Sequence, residues 1–259
     1  MPTAVRVLAS LGGLALIGLS IWLSSPGQLA KAPVETSVAD GSNPPLATAS
    51  PLVPATGSTA APIATVDAAT SSDILIEDFT KGSQYWETGI KDDDRRTASR
   101  SLVDGVFRWQ VTSKQDISTG IGSKLPALSD FELETTLKLV DGSEAIEYGV
   151  QFRNNDAGSY YFFIAPSGQY VLSKYSAQDG EYTDLIPWTQ STAINLNGEN
   201  KLRVHAVGSK IRLYINGTLV ADYVDNSFAT GHINIGAWLD TGEKLTLDMT
   251  SFKVMLLSP

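Results

Sequence analysis

Two carboxylates on one face of a strand are the chemistry a glycosidase needs, which makes Glu132 and Glu134 the first residues to weigh. In retaining enzymes the acid and the nucleophile stand about 5–5.5 Å apart across the scissile bond. Alternate strand residues share a face, so Glu132 and Glu134 project together. The positions that follow are Thr136 and Leu137, and the strand carries no further carboxylate beyond the pair. Exposed acids on a strand need no function, and that reading is the one adopted.

Nucleophilic catalysis fares no better. The chain has no cysteine and no Gly-x-Ser-x-Gly turn, and its two histidines, His205 and His232, lie in strand patterns without a Ser–Asp setting. His205 alternates with Leu202, Val204 and Ala206, which turns it outward. The lack of cysteine also removes disulfides and thiolate zinc sites. Among cations only calcium merits attention, because it takes oxygen ligands from loops. The run Asp92-Asp93-Asp94 offers three carboxylates, but Lys91, Arg95 and Arg96 neutralise it. No metal site and no cofactor is expected from these residues.

Ligand binding is better served. Saccharide sites combine aromatic faces with a few planar polar groups. Arg153, Tyr161, Tyr175, Trp188 and Trp238 supply both kinds of group, and alternation puts Gln151 with Arg153, and Tyr161 with Phe163, on shared strand faces. Trp188 follows Pro187 in what reads as a loop or strand end. Trp238 alternates against Ile233, Ile235 and Ala237, and all five are expected at the surface.

The elements that must position these groups are short strands. Candidate strands are 74–79, 105–111, 131–139, 148–153, 159–165, 169–175, 201–207, 210–215, 218–223, 231–239 and 245–254. In Phe131–Leu139 the apolar Phe131, Leu133, Leu137 and Leu139 alternate with Glu132, Glu134, Thr136 and Lys138, a period of two. Asn216-Gly217 between two alternating runs predicts a hairpin, since a type I′ turn needs positive φ at both central positions. Asn216-Gly217-Thr218 is formally a glycosylation sequon, explained by that turn. No stretch of ten residues has a helical period. About a dozen short strands with short connections mean an all-β, two-sheet antiparallel sandwich over 74–259.

Ahead of it, Val7–Leu23 is an uncharged apolar run behind Arg6, near the lower limit for spanning a bilayer core of about 30 Å. Residues 1–23 are expected to anchor the chain in a membrane, the alternative being a secretory signal cleaved near Ser24–Gly27 or after Ala30. Residues 24–73 are rich in Ala, Ser, Thr and Pro, with no aromatic between Trp22 and Phe79. Such a segment buries too little to offset its ordering entropy and reads as a disordered stalk. Either N-terminal reading places the sandwich outside the cytoplasm. The net charge of −9 excludes nucleic acid as a partner, because phosphate binding needs clustered cations.

The segments FELETTLKLVDG, YGVQFRNNDAGSYYFFIAPSGQYVLSKY and LTLDMTSFKV, with ILIEDF near the start, resemble the concanavalin A-like jelly rolls. That family includes laminin G-like modules and the 3-keto-disaccharide-hydrolase-like extracytoplasmic domains. The resemblance implies a jelly roll and, for glycosidases of that fold, a Glu-x-Asp-x-x-Glu strand from which Glu132-Leu133-Glu134 departs. It also implies that terminal strands meet, which makes Asp78 and Asp248 a second place to consider calcium. The expectation is a non-catalytic recognition module for a glycan, or an adhesive one for a cell-surface protein. The alternatives are a carbohydrate-active hydrolase of this fold and a protein–protein interaction domain.

Overall fold

A computed structural model describes residues 74–257. The expected membrane segment (1–23) and stalk (24–73) lie outside the described residues. Within them the chain forms fifteen strands: β1 (Ile74–Glu77), β2 (Gly89–Asp92), β3 (Arg96–Val103), β4 (Val106–Ser113), β5 (Ile117–Gly122), β6 (Phe131–Asp141), β7 (Glu147–Asn155), β8 (Gly158–Ile164), β9 (Gln169–Ser176), β10 (Glu181–Gln190), β11 (Asn200–Val207), β12 (Lys210–Ile215), β13 (Thr218–Val224), β14 (His232–Leu239) and β15 (Lys244–Leu256). All pairings are antiparallel. One sheet has nine strands, in the order β13-β12-β11-β6-β15-β4-β3-β2, with β1 added beside β15; the other has six, in the order β10-β9-β8-β7-β14-β5. This is the two-sheet sandwich the alternation predicts.

The core fills the space between the sheets. From the larger sheet come Phe107, Trp109, Phe131, Leu133, Leu137, Leu202, Val204, Leu213 and Phe252, and from the smaller Val150, Phe152, Phe162, Leu172, Ile233 and Ile235, each no more than 2% exposed. Alternation sets the inner phase along β6, but Thr135 falls on it too; its hydroxyl, wholly buried, donates to the Ser251 carbonyl at 3.0 Å. Along β15 a bulge between Met249 and Ser251 reverses the phase, so Leu245, Leu247 and Met249 point inward before it and Phe252 and Val254 after it. An extra residue in one strand flips every later side chain, and here it keeps both halves of a long strand in the core.

The hairpin at Asn216-Gly217 has φ of 50° and 84°, both positive as a type I′ turn requires. Four strands go beyond the alternation read in the sequence, each for a physical reason. β2 is exposed along its whole length, and β3 carries arginines in its inner phase. β5 holds two glycines, and β10 contains Pro187 and two register shifts. Trp188 therefore sits near the end of a strand, one of the two places read for it.

Candidate functional site

The six-stranded sheet buries one face in the core and presents another to the outside, and the outward face holds the site. β8 is buried at every residue because it is covered on both sides. Tyr160, Phe162 and Ile164 enter the main core, while Tyr161 and Phe163 project outward. There they join Val171 and Tyr175 of β9 in a second apolar cluster, against which Tyr182 and Trp188 of β10 pack. Tyr161 meets Phe163 edge-on at 5.5 Å between centroids; Tyr182 lies 5.3 Å from Tyr161 and 4.8 Å from Tyr175.

The face is curled. Ser118, on edge strand β5, stands close enough to the Tyr182 hydroxyl on the opposite edge strand, β10, to perturb its ionisation. Six flat strands would hold the two edges about 24 Å apart, at about 4.8 Å per step. The sheet therefore bends around this face, which becomes a concave trough. Its floor is bare where Gly120, Gly236 and Gly149 stand side by side on β5, β14 and β7. The Phe163 ring lies over this row: a Cβ at Gly236 would come within 2.9 Å of its Cζ.

Beside the rings runs a chain of polar groups. Gln151 Nε2 donates to the Tyr161 hydroxyl at 3.0 Å and to Ser159 Oγ at 2.9 Å. Asn234 Nδ2 donates to Gln151 Oε1 at 2.8 Å, and the Tyr182 hydroxyl donates to that of Tyr161 at 3.2 Å. Burial raises the Tyr161 hydroxyl, though Ser159 and Tyr182 pull it back down in part. Burial, then the neighbouring Tyr161, raises that of Tyr182. All these hydroxyls stay protonated at neutral pH and act as hydrogen-bonding groups rather than bases. Aromatic faces bordered by amides and neutral hydroxyls can hold a polyhydroxylated ligand by ring stacking and hydrogen bonds.

The five residues singled out from sequence divide three ways. Tyr161, Tyr175 and Trp188 come together in the trough; Trp188 is half-buried, whereas the two tyrosines, expected at the surface, are buried at 8% exposed because the neighbouring rings cover them. Trp238 is on the same sheet face three strands from β9 and, against the expected surface position, is buried at 6% exposed, its indole N–H donating to Asp240 Oδ1 at 3.4 Å. Arg153 was expected at the surface beside Gln151, and the structure corrects this: it is 1% exposed. A register shift in β7 and φ of 50° at Arg153 break the alternation and turn its side chain away from Gln151. Its Nε and Nη2 donate to the Ser129 carbonyl at 3.1 and 2.7 Å, and Nη1 to the carbonyls of Gly208 and Phe228 at 2.8 and 3.1 Å. Sequence reasoning missed Tyr182, because β10 lacks a clean period, and the Gln151–Asn234 pair, which belongs to strands adjacent only in the fold.

The acids weighed for catalysis lie elsewhere. Glu132 and Glu134 are on β6 in the nine-stranded sheet, facing away from the core. Glu132 takes His205 at 3.2 Å and Arg203 at 3.8 Å, and Glu134 takes Lys201 at 3.2 Å. Asp248 is held by Arg108 in a fork of two 2.7 Å bonds, whereas Asp78 accepts from Thr80, so the two do not form a pair. Asp92 is bound by Lys114 at 2.6 Å, and Asp93 accepts the backbone N–H groups of Arg95 and Arg96. Among the described residues no three His, Cys, Asp or Glu side chains converge as a metal site would need.

Comparison with known proteins agrees with the architecture. Over 141 residues the chain is 24% identical to a levanase of Bacillus subtilis strain 168, a match covering 53% of this chain and 20% of the levanase. Among solved structures, a Bacillus licheniformis beta-glucanase aligns with a TM-score of 0.53 at 12% identity, over 72% of this chain and 99% of that one. The carbohydrate binding module CBM66 from Bacillus subtilis aligns at 0.44 with 19% identity, over 65% of this chain and 93% of the module. The likeness to the beta-glucanase is one of fold alone. The profile of the 3-keto-alpha-glucoside-1,2-lyase-like domain matches residues 77–246, and the chain belongs to that family.

Proposed function

We propose that this domain is a non-catalytic glycan-recognition module that binds saccharide in the concave trough of the six-stranded sheet. The observation that carries the reading is the ring cluster of Tyr161, Tyr175, Tyr182 and Trp188 bordered by Gln151 and Asn234. Half-buried Trp188 and Tyr182 offer the accessible ring faces; Tyr161 and Tyr175 stand behind them as support. The neutral hydroxyls and amides suit an uncharged sugar. The acids of β6 lie on the opposite sheet, paired with Arg203 and Lys201, which supports binding without hydrolysis. Levan is the first polysaccharide to test, since a levanase shares part of its length with this chain.

The test is affinity electrophoresis of the purified chain in gels containing levan or laminarin. Retardation in one gel, lowered at least tenfold in affinity by Trp188→Ala with an unchanged circular dichroism spectrum, is the expected result. Free migration of a folded chain through every glycan gel sinks the reading and moves the assignment to a protein partner at the cell surface. Release of reducing sugar or of a keto sugar from a glycoside would instead establish an enzyme. The N-terminal apolar run Val7–Leu23 and the Pro-rich stretch behind it support an extracytoplasmic, membrane-anchored placement. Recovery of the full chain in the soluble cytoplasmic fraction would refute that placement.

A further inference from the structure

Strand β10 carries a carboxylate on the side that faces the trough. Tyr182, Thr183 and Asp184 pair in unbroken register with Tyr175, Lys174 and Ser173 of β9, so Asp184 shares the outward phase of Tyr182. Leu185 and Ile186 then pack against the main core, and register shifts on either side of Ile186 return Trp188 to the outward ring cluster. Asp184 thus lies along β10 between the two half-buried rings, and it is itself exposed. It also ends a row across the sheet, in which Asn234 stands opposite Gln151, Gln151 opposite Tyr161, Tyr161 opposite Ser173 and Ser173 opposite Asp184. Hydrogen bonds tie the first three members of that row to one another.

Asp184 has no such tie. Among the described residues it makes neither a hydrogen bond nor an ion pair, and desolvation by its neighbours is the one influence on its carboxyl, raising its pKa. The six strands of this sheet hold two cations, Arg153 and Lys174. Both are engaged elsewhere: Arg153 by the backbone carbonyls of three segments, and Lys174 by Asp225 at 2.9 Å and Ser227 at 2.7 Å. A carboxylate is costly where neighbours exclude water without supplying donors. Its two oxygens accept from hydroxyls, and two hydroxyls on adjacent carbons suit them together. An anionic sugar would meet this charge with no cation of the sheet to offset it.

We propose that Asp184 determines the specificity of the trough: its two oxygens accept hydrogen bonds from adjacent hydroxyls of a neutral sugar stacked on Tyr182 or Trp188, so the ligand is a glycan with free vicinal diols. The inference rests on the trough being the saccharide site. Residues two apart on a strand are separated by about 7 Å. That spacing sets the carboxylate at the edge of a sugar ring lying on Tyr182, where ring hydroxyls point, rather than beneath it.

Affinity electrophoresis of the full chain and of Asp184→Ala in gels of levan, dextran and laminarin tests this. The unbranched residues of levan and dextran carry adjacent free hydroxyls, whereas the β-1,3-linked rings of the laminarin main chain do not. Levan or dextran should be bound about tenfold more tightly than laminarin, and Asp184→Ala should lose about tenfold of that affinity. Asp184→Asn, with one acceptor oxygen left, should fall between. The thermal midpoint of Asp184→Ala should not drop, because the carboxylate holds no other part of the fold. Laminarin bound as tightly as levan and dextran, unchanged affinity in Asp184→Ala, or a lowered midpoint in that variant overturns the proposal; Trp188→Ala still weakening retention would then leave the trough as a saccharide site without this contact. A folded chain that passes all three gels unretarded overturns both.

Discussion

Replacing Arg153 by methionine is expected to be among the most damaging single substitutions in the sandwich, although the residue is a long cation in a domain whose face looks built for sugar. The side chain is 1% exposed and its four hydrogen bonds tie carbonyls of three separate segments, at Ser129, Gly208 and Phe228, to strand β7. Methionine keeps the stem and its packing but orphans those acceptors. Each buried acceptor left unpaired costs about 1–3 kcal/mol, and breaking a buried charged network typically costs about 3–5 kcal/mol in all. Against a total stability of about 5–15 kcal/mol this is a large fraction. With an m-value of about 2 kcal/mol per molar, the urea midpoint should fall by about 2 M. Arg153→Lys should fall between, because one ammonium cannot reach carbonyls on three segments at once. A loss under about 1 kcal/mol for methionine, or full stability with lysine, would refute the view of Arg153 as a structural tie. Weakened glycan binding by the folded fraction alone would restore it to the ligand site.

Other outcomes follow from single contacts. Asp225 is held down to about 2: burial pushes its carboxyl up, but hydrogen bonds from Ser227, Tyr160 and Lys174 outweigh that. A depressed pKa contributes stability above the unfolded value of about 3.9 that is lost as pH falls toward 2, about 2 kcal/mol here; Asp225→Asn should flatten the stability curve over that window, measured by urea unfolding at each pH. A Cβ at Gly149 would lie 2.2 Å from the Phe162 carbonyl oxygen, and one at Gly120 3.1 Å from that of Ile235. Gly149→Ala should therefore cost several-fold more stability than Gly120→Ala, and equal thermal midpoints would show that the trough floor can yield. The Asn216 side chain makes three hydrogen bonds, donating to Ala193 O and Asn200 Oδ1 and accepting from Lys201 N. Expression in a glycosylating host should consequently leave its mass unchanged by glycan-removing enzymes.

Legibility in the sequence tracked how local the cause was. β12 begins and ends where alternation places it, because Lys210–Ile215 reads Ile211, Leu213 and Ile215 inward with nothing to interrupt the period. The turn at Asn216-Gly217 is equally local, since positive φ at both positions is a property of those two residues. β3 and β10 were hidden for the opposite reason. Arginines occupy the inner phase of β3, and two register shifts and a proline disturb β10, so neither shows a period of two. Tyr182 was hidden with its strand.

The candidate site shows the same division. Tyr161, Tyr175 and Trp188 could be picked out by type, yet Arg153 could not be told from them. Alternation puts Arg153 beside Gln151, and only the bulge opposite Ile233, where β7 holds an extra residue, turns it inward. A bulge is settled by pairing with neighbouring strands, and those partners lie up to some eighty positions away in the chain. The sequence by itself determined the strand-rich class and the tight hairpin, because period and turn chemistry are properties of a few consecutive residues. Tertiary structure alone decided which rings share a trough, which acids stand on the other sheet, and which arginine is a structural tie. Those outcomes depend on strand order, register and sheet curvature, which arise from packing between distant segments.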